Sequence, residues 1–96
     1  MKLLVTVVGR DRVTEVTSLL DGIGVAGYSI LPDVLGRGTT GTHFGTRAFP
    51  GENAMVLALV SPEQAEDLTA GLREIKHSLL AGQGLMALAL DAVSLV

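Results

Sequence analysis

The sequence predicts a single α+β domain in which two β-α-β units follow one another, separated by a long glycine-rich segment. Three observations carry that expectation. Short apolar runs are bounded by glycine or turn residues, and two intervening segments repeat apolar residues at helical spacing. Each helical segment also meets the same kind of turn, Gly22-Ile23-Gly24 in the first half and Gly82-Gln83-Gly84 in the second. The 96 residues are treated as one domain, 1–96, near the lower end of the length that buries a self-sufficient core.

Leu3 to Val8 is rich in Val and Leu, stops at Gly9, and reads as a buried first strand. Asp11 is the expected N-cap of the first helix, in which Val13, Val16, Leu19, Leu20 and Ile23 form one apolar face. Gly22 and Gly24 are expected to stop it. Val25 to Val34 is the second strand, with Pro32 tolerable only near its end or on an edge. From Gly36 to Asn53 no period survives among five glycines, four threonines and Pro50, which marks a long loop. Ala54 to Val60 is the third strand. Ser61-Pro62-Glu63-Gln64 then supplies a capping box with proline at the first helical position. Ala65, Leu68, Leu72, Ile75 and Leu79 face inward along the second helix, Gly82 and Gly84 end it, and Leu85 to Val93 is the fourth strand.

The order β-α-β, loop, β-α-β is that of a ferredoxin-like βαββαβ fold. It has a four-stranded antiparallel sheet, both helices on one face, and a long loop between the second and third strands. The other face should then be polar in a monomer. It is not: Leu3-Leu4-Val5-Thr6-Val7-Val8, Met55-Val56-Leu57-Ala58-Leu59-Val60 and Leu85-Met86-Ala87-Leu88-Ala89-Leu90 are apolar on both sides of each strand. An uncovered apolar sheet face implies an oligomer.

Composition excludes several functions. A net charge of -3 with seven scattered basic residues offers no basic face for nucleic acid. With no cysteine, disulfides, thiolate metal sites and thiol catalysis are ruled out. No apolar run approaches the roughly 18 residues that span a bilayer, and the first ten residues lack the apolar stretch of a signal peptide. A cytoplasmic location with no membrane insertion is the expectation.

Among the motifs, Gly36-Arg37-Gly38-Thr39-Thr40-Gly41 matches G-x-G-x-x-G, but no helix begins on its last glycines, so a dinucleotide fingerprint is rejected. A glycine-rich anion nest beside Arg37 and a plain flexible loop remain as alternatives. His43 and His77 are the only histidines. His43 with Glu52 is a thin metal signal, outweighed by an exposed loop histidine, so no metal ligand is assigned. His77, near the end of the second helix, is read as structural. No nucleophile, base and orienting group assemble from the spacings, and an enzyme is not expected.

Met1-Lys2-Leu3-Leu4, Glu15-Val16 and Gly22-Ile23-Gly24-Val25-Ala26-Gly27-Tyr28 resemble the first βαβ unit of the nitrogen regulatory P-II signal-transduction family. Asp33-Val34-Leu35-Gly36-Arg37-Gly38 is similar to the segment that opens that family's T-loop, and Gly41 to Thr46 and Pro50 to Asn53 resemble the T-loops of its short members. The resemblance implies a homotrimer that senses an adenine nucleotide, ATP or ADP, or another small anion, and reports to a regulated protein or transporter. It places the ligand on Gly36, Arg37, Gly38, Gly82, Gln83 and Gly84, and the partner-binding loop on His43, Phe44, Arg47 and Phe49. No cofactor is assigned. There are departures. The only tyrosine, Tyr28, falls in the second strand rather than the T-loop; Gly82-Gln83-Gly84-Leu85 lacks the acid and lysine of the family's G-D-G-K turn; and the family's C-terminal arginines are missing. CutA-type trimers linked to divalent-metal tolerance share the architecture and stand second, since they tend to be aromatic-rich and this chain is 3% aromatic.

Overall fold

A computed structural model describes residues 1–34 and 53–96, together with the backbone of 36–38 and 41–43. The elements are β1 (Lys2–Gly9), a 3₁₀ turn (Arg10–Arg12), α1 (Val13–Ile23), β2 (Tyr28–Leu31), β3 (Gly36–Gly38), β4 (Gly41–His43), β5 (Asn53–Val60), α2 (Pro62–His77) and β6 (Leu85–Asp91). The four long strands form one antiparallel sheet in the order β2-β5-β1-β6, which is the ferredoxin-like α+β arrangement.

Register separates the two faces of the sheet. On the helix side, Leu4, Thr6 and Val8 of β1 lie beside Ala54, Val56, Ala58 and Val60 of β5. Val16 and Leu20 of α1 and Leu68 and Leu72 of α2 close over them, and all eleven of these residues are buried. Leu19 rides over Gly71 of α2, where a Cβ would come within 2.5 Å of its Cδ1, so glycine there lets the two helices approach. The register places the opposite face in rows, with Leu31, Met55, Val7 and Met86 in one and Leu57, Val5 and Leu88 in the next. Leu59, Leu3 and Leu90 make a third. No helix covers this face among the described residues. Leu31, Leu59, Met86, Leu88 and Leu90 each leave 43–52% of their surface in solvent.

The helix ends follow local chemistry. Ser61 Oγ accepts from Gln64 N at 3.1 Å and Gln64 Oε1 accepts from Ser61 N at 2.9 Å, completing the expected capping box. Gly24, at φ 86°, ends α1 in the left-handed region, with Gly24 N donating to Asp21 O and Val25 N to Leu20 O. Gly22 lies inside the helix and does not stop it.

Several expectations need correction. Asp11 is not the N-cap of α1. It sits in the 3₁₀ turn, Arg12 holds the cap position, and no side chain caps the helix. The second strand is Tyr28–Leu31 rather than 25–34. Val25 N is spent closing α1 and Pro32 has no N–H, so neither flank extends the ladder. The fourth strand ends at Asp91, beyond which Ala92 N still bonds Met1 O at 3.1 Å. Leu79 lies past the end of α2 at His77, and Ser78 is the C-cap. Part of the glycine-rich segment is a two-stranded ribbon, with Gly36, Arg37 and Gly38 opposite His43, Thr42 and Gly41. Its ladder is built from backbone groups, so it needs no apolar alternation and left none to read. Phe44, Arg47, Phe49 and Glu52 lie outside the described residues.

Two substitutions probe this packing. Thr6 is fully buried and its Oγ1 has no hydrogen-bond partner among the described residues. Thr6→Val removes the unpaired hydroxyl at similar shape, and should stabilise the protein by about 1 kcal/mol in denaturant melts at fixed protein concentration. The second concerns Asp91, whose carboxylate is held below its ordinary 3.8 by its hydrogen bond to and charge attraction from Lys2. A depressed carboxylate contributes stability that is present above its unfolded value and lost as pH falls through its folded value. The stability difference between the native protein and Asp91→Asn should therefore vanish on acidification below that range, as read by melting temperature.

Candidate functional site

The sequence-derived ligand residues fall into two segments. Gly36, Arg37 and Gly38 form β3, a few residues beyond the end of β2. Gly82, Gln83 and Gly84 make the turn that leads into β6. Leu85 pairs with Val8, and Leu31 with Met55, so both segments leave the same end of the sheet. They leave from opposite edges, because β2 and β6 are the outer strands with β5 and β1 between them. Three strand spacings separate those edges, about 14 Å.

The neck of the long loop is fixed. Val34 N donates to Asn53 O at 3.0 Å, closing its base, and Arg10 Nη1 donates to Asp33 Oδ1 at 3.3 Å just before it. The 3₁₀ turn after β1 is thus tied to the strand that launches the loop. The His43 backbone lies in β4, opposite Gly36.

The second segment is built around Gln83. Gln83 N donates to Leu80 O at 3.0 Å, and Leu80 N donates back to Gln83 Oε1 at 2.8 Å. Gly82 is left-handed at φ 85°, which favours glycine at the apex. The amides of Ala81, Gly82 and Gly84 donate to no protein atom among the described residues. Amides left without a protein acceptor in a glycine turn are the elements of an anion receptor.

Sequence reasoning missed the groups that hold this turn. Arg12 Nη1 donates to Ser78 Oγ at 3.2 Å, and Arg12 Nη2 to Ser78 O at 3.3 Å and Gln83 Oε1 at 3.5 Å. The same guanidinium is paired with Glu15 at 3.1 Å. Gln83 Nε2 completes the knot by donating to Asp11 Oδ2 at 3.3 Å. Apart from Arg12 and Glu15, these partners lie 66 to 72 positions apart, where spacing carries no signal. Among the described residues no group of three or more His, Asp or Glu side chains is placed to hold a metal ion, and no helix is long and apolar enough to cross a membrane.

The family model of the nitrogen regulatory protein P-II matches residues 1–85. The chain belongs to the P-II family, whose members are regulatory proteins. Solved structures agree on the fold. CPII, a nitrogen regulatory PII-like protein from Thiomonas intermedia K12 seen with ADP, AMP and bicarbonate, superposes with a TM-score of 0.72 at 22% identity, over 93% of this chain and 86% of that one. The same protein with ADP and bicarbonate gives 0.72 at 24% identity and the same coverage. A Thermus thermophilus protein described as PII-like signalling gives 0.59 at 19% identity, over 92% and 82% of the two chains. No curated protein sequence matches the chain.

Proposed function

We propose that this protein is a homotrimeric, cytoplasmic P-II-like signalling module that binds an adenine nucleotide between neighbouring subunits. Gly36, Arg37 and Gly38 come from one subunit and Gly82, Gln83 and Gly84 from the next. The segment from Thr39 to Glu52, with His43, Phe44, Arg47 and Phe49, is the T-loop that reports occupancy to a regulated protein or transporter.

The placement of the two glycine segments carries this reading: they share one end of the sheet but stand at its opposite edges. One small ligand reaches both when the β2 edge of one subunit meets the β6 edge of the next. The open apolar face supports that assembly. Burying a Leu or Met side chain is worth roughly 1.5–3 kcal/mol, and rows of half-exposed ones have no cover among the described residues. Head-to-tail edge contacts generate a ring, and closure at three is what P-II membership implies. The related CPII structures hold ADP and AMP, which makes an adenine nucleotide the first ligand to test and bicarbonate the second. Membership of the P-II family leaves the CutA-type alternative without support.

Leu57→Asp is expected to disrupt the assembly, because Leu57 stands mid-row between Ser29 and Val5 on the open face. Sedimentation equilibrium should give a trimer for the native chain and dissociated or unfolded chains for the variant. A native monomer would refute the arrangement.

Calorimetry with ADP, AMP and ATP tests the ligand. The lysine and acid of the G-D-G-K turn are absent, and each missing charge-assisted bond removes roughly 1.5–3 kcal/mol, so affinity should fall at least tenfold below that of relatives that keep them. Trypsin cleavage after Arg47 should slow when ADP is bound. No heat and no thermal shift with millimolar nucleotide would remove nucleotide sensing from this protein.

A further inference from the structure

We infer that Arg12 is a positioning residue that presets the 78–84 turn for the anion it receives. This rests on the reading of that turn as half of the nucleotide site.

The turn has little apolar material to hold it. Leu80 is 69% exposed, and Ala81 and Gly82 are exposed as well. Its shape comes from polar contacts, and a single guanidinium reaches both of its ends. Arg12 touches Ser78, where α2 stops, through both the hydroxyl and the carbonyl, and it touches Gln83, where the turn closes, through Oε1. That same Oε1 accepts from Leu80 N, so the arginine orients the atom that closes the turn. Glu15 holds the guanidinium from α1, and Asp11 holds the Gln83 amide from the 3₁₀ turn. The arginine side chain is only 20% exposed and its charge is matched by Glu15, so it faces into this knot and leaves phosphate binding to the turn's backbone.

The consequence is energetic. A loose glycine-containing turn must lose backbone freedom when a ligand orders it, and that loss weakens binding. A turn already clamped by Arg12 has lost it before the ligand arrives. The clamp depends on fork geometry, since one planar group serves Ser78 and Gln83 together. Lysine keeps the charge and lacks the fork.

The test uses the full chain with Arg12→Gln and Arg12→Lys, read by amide hydrogen exchange and ADP calorimetry. Exchange should rise at the bonded amides of Leu79, Leu80 and Gln83 in both variants and stay unchanged in β1 and β5, with ADP affinity falling roughly tenfold. The salt dependence of affinity should match the native protein, because no phosphate contact is lost. If Arg12→Gln does not fold, Arg12→Lys carries both readouts. Unchanged exchange at Leu79, Leu80 and Gln83 overturns the clamp. Faster exchange with native ADP affinity overturns the positioning role. Restoration of affinity by lysine, or a weaker salt dependence in Arg12→Gln, shows a direct charge contact instead and also overturns it. If the native protein itself binds no ADP, the nucleotide reading fails and the positioning role falls with it, leaving the exchange result to report a purely structural knot.

Discussion

Strand β1 is hydrogen-bonded along both of its edges, to β5 over the whole span from Lys2 to Gly9 and to β6 from Lys2 to Val8. Its side chains alternate between two surfaces that are both apolar. Leu4, Thr6 and Val8 enter the core beneath the helices, while Leu3, Val5 and Val7 join the open face. The rest of the molecule depends on satisfying both surfaces at once. The first is covered inside the chain by Val16, Leu20, Leu68 and Leu72. Among the described residues both long helices are spent on that side, so the second surface is left to something outside them. On that second surface this sequence has Leu3, Val5 and Val7.

Sheet order then determines where ligand-binding elements can stand. With β5 and β1 inside, β2 and β6 are the edges, and the chain leaves β2 and enters β6 at the same end. The two glycine segments therefore stand at opposite edges of the sheet within the chain. Each is anchored by a different device. The long loop is pinched at its base by a backbone bond between Val34 and Asn53, and the 78–84 turn is gripped by side chains from the start of the first helix. Residues 10 to 12 serve both, with Arg10 reaching Asp33 and Asp11 and Arg12 reaching Gln83. The short 3₁₀ turn after β1 is therefore a joint between the two halves of the candidate site.

Most of the fold was legible in the sequence, because apolar periodicity and capping chemistry are local. The Ser61-Pro62-Glu63-Gln64 start, the inward stripe through Leu68 and Leu72 and the two-faced strands all appear where the pattern placed them. The errors fell where local pattern and tertiary demand diverge. Val25 looked like strand but its amide closes α1, and Asp11 looked like a cap but its carboxylate is taken by Gln83, 72 positions away. The Gly36–His43 ribbon was hidden because backbone pairing between glycines leaves no alternation.

The sequence by itself determined the fold class and the apolar character of both faces of the central strands, since both follow from which residues repeat at two- and 3.6-residue spacing. Only the tertiary structure decided that the two glycine segments share one end of the sheet on opposite edges, and that Arg12 ties Ser78 to Gln83. Strand order and side-chain contacts over 66 to 72 residues arise when the chain closes on itself, and no local spacing encodes them.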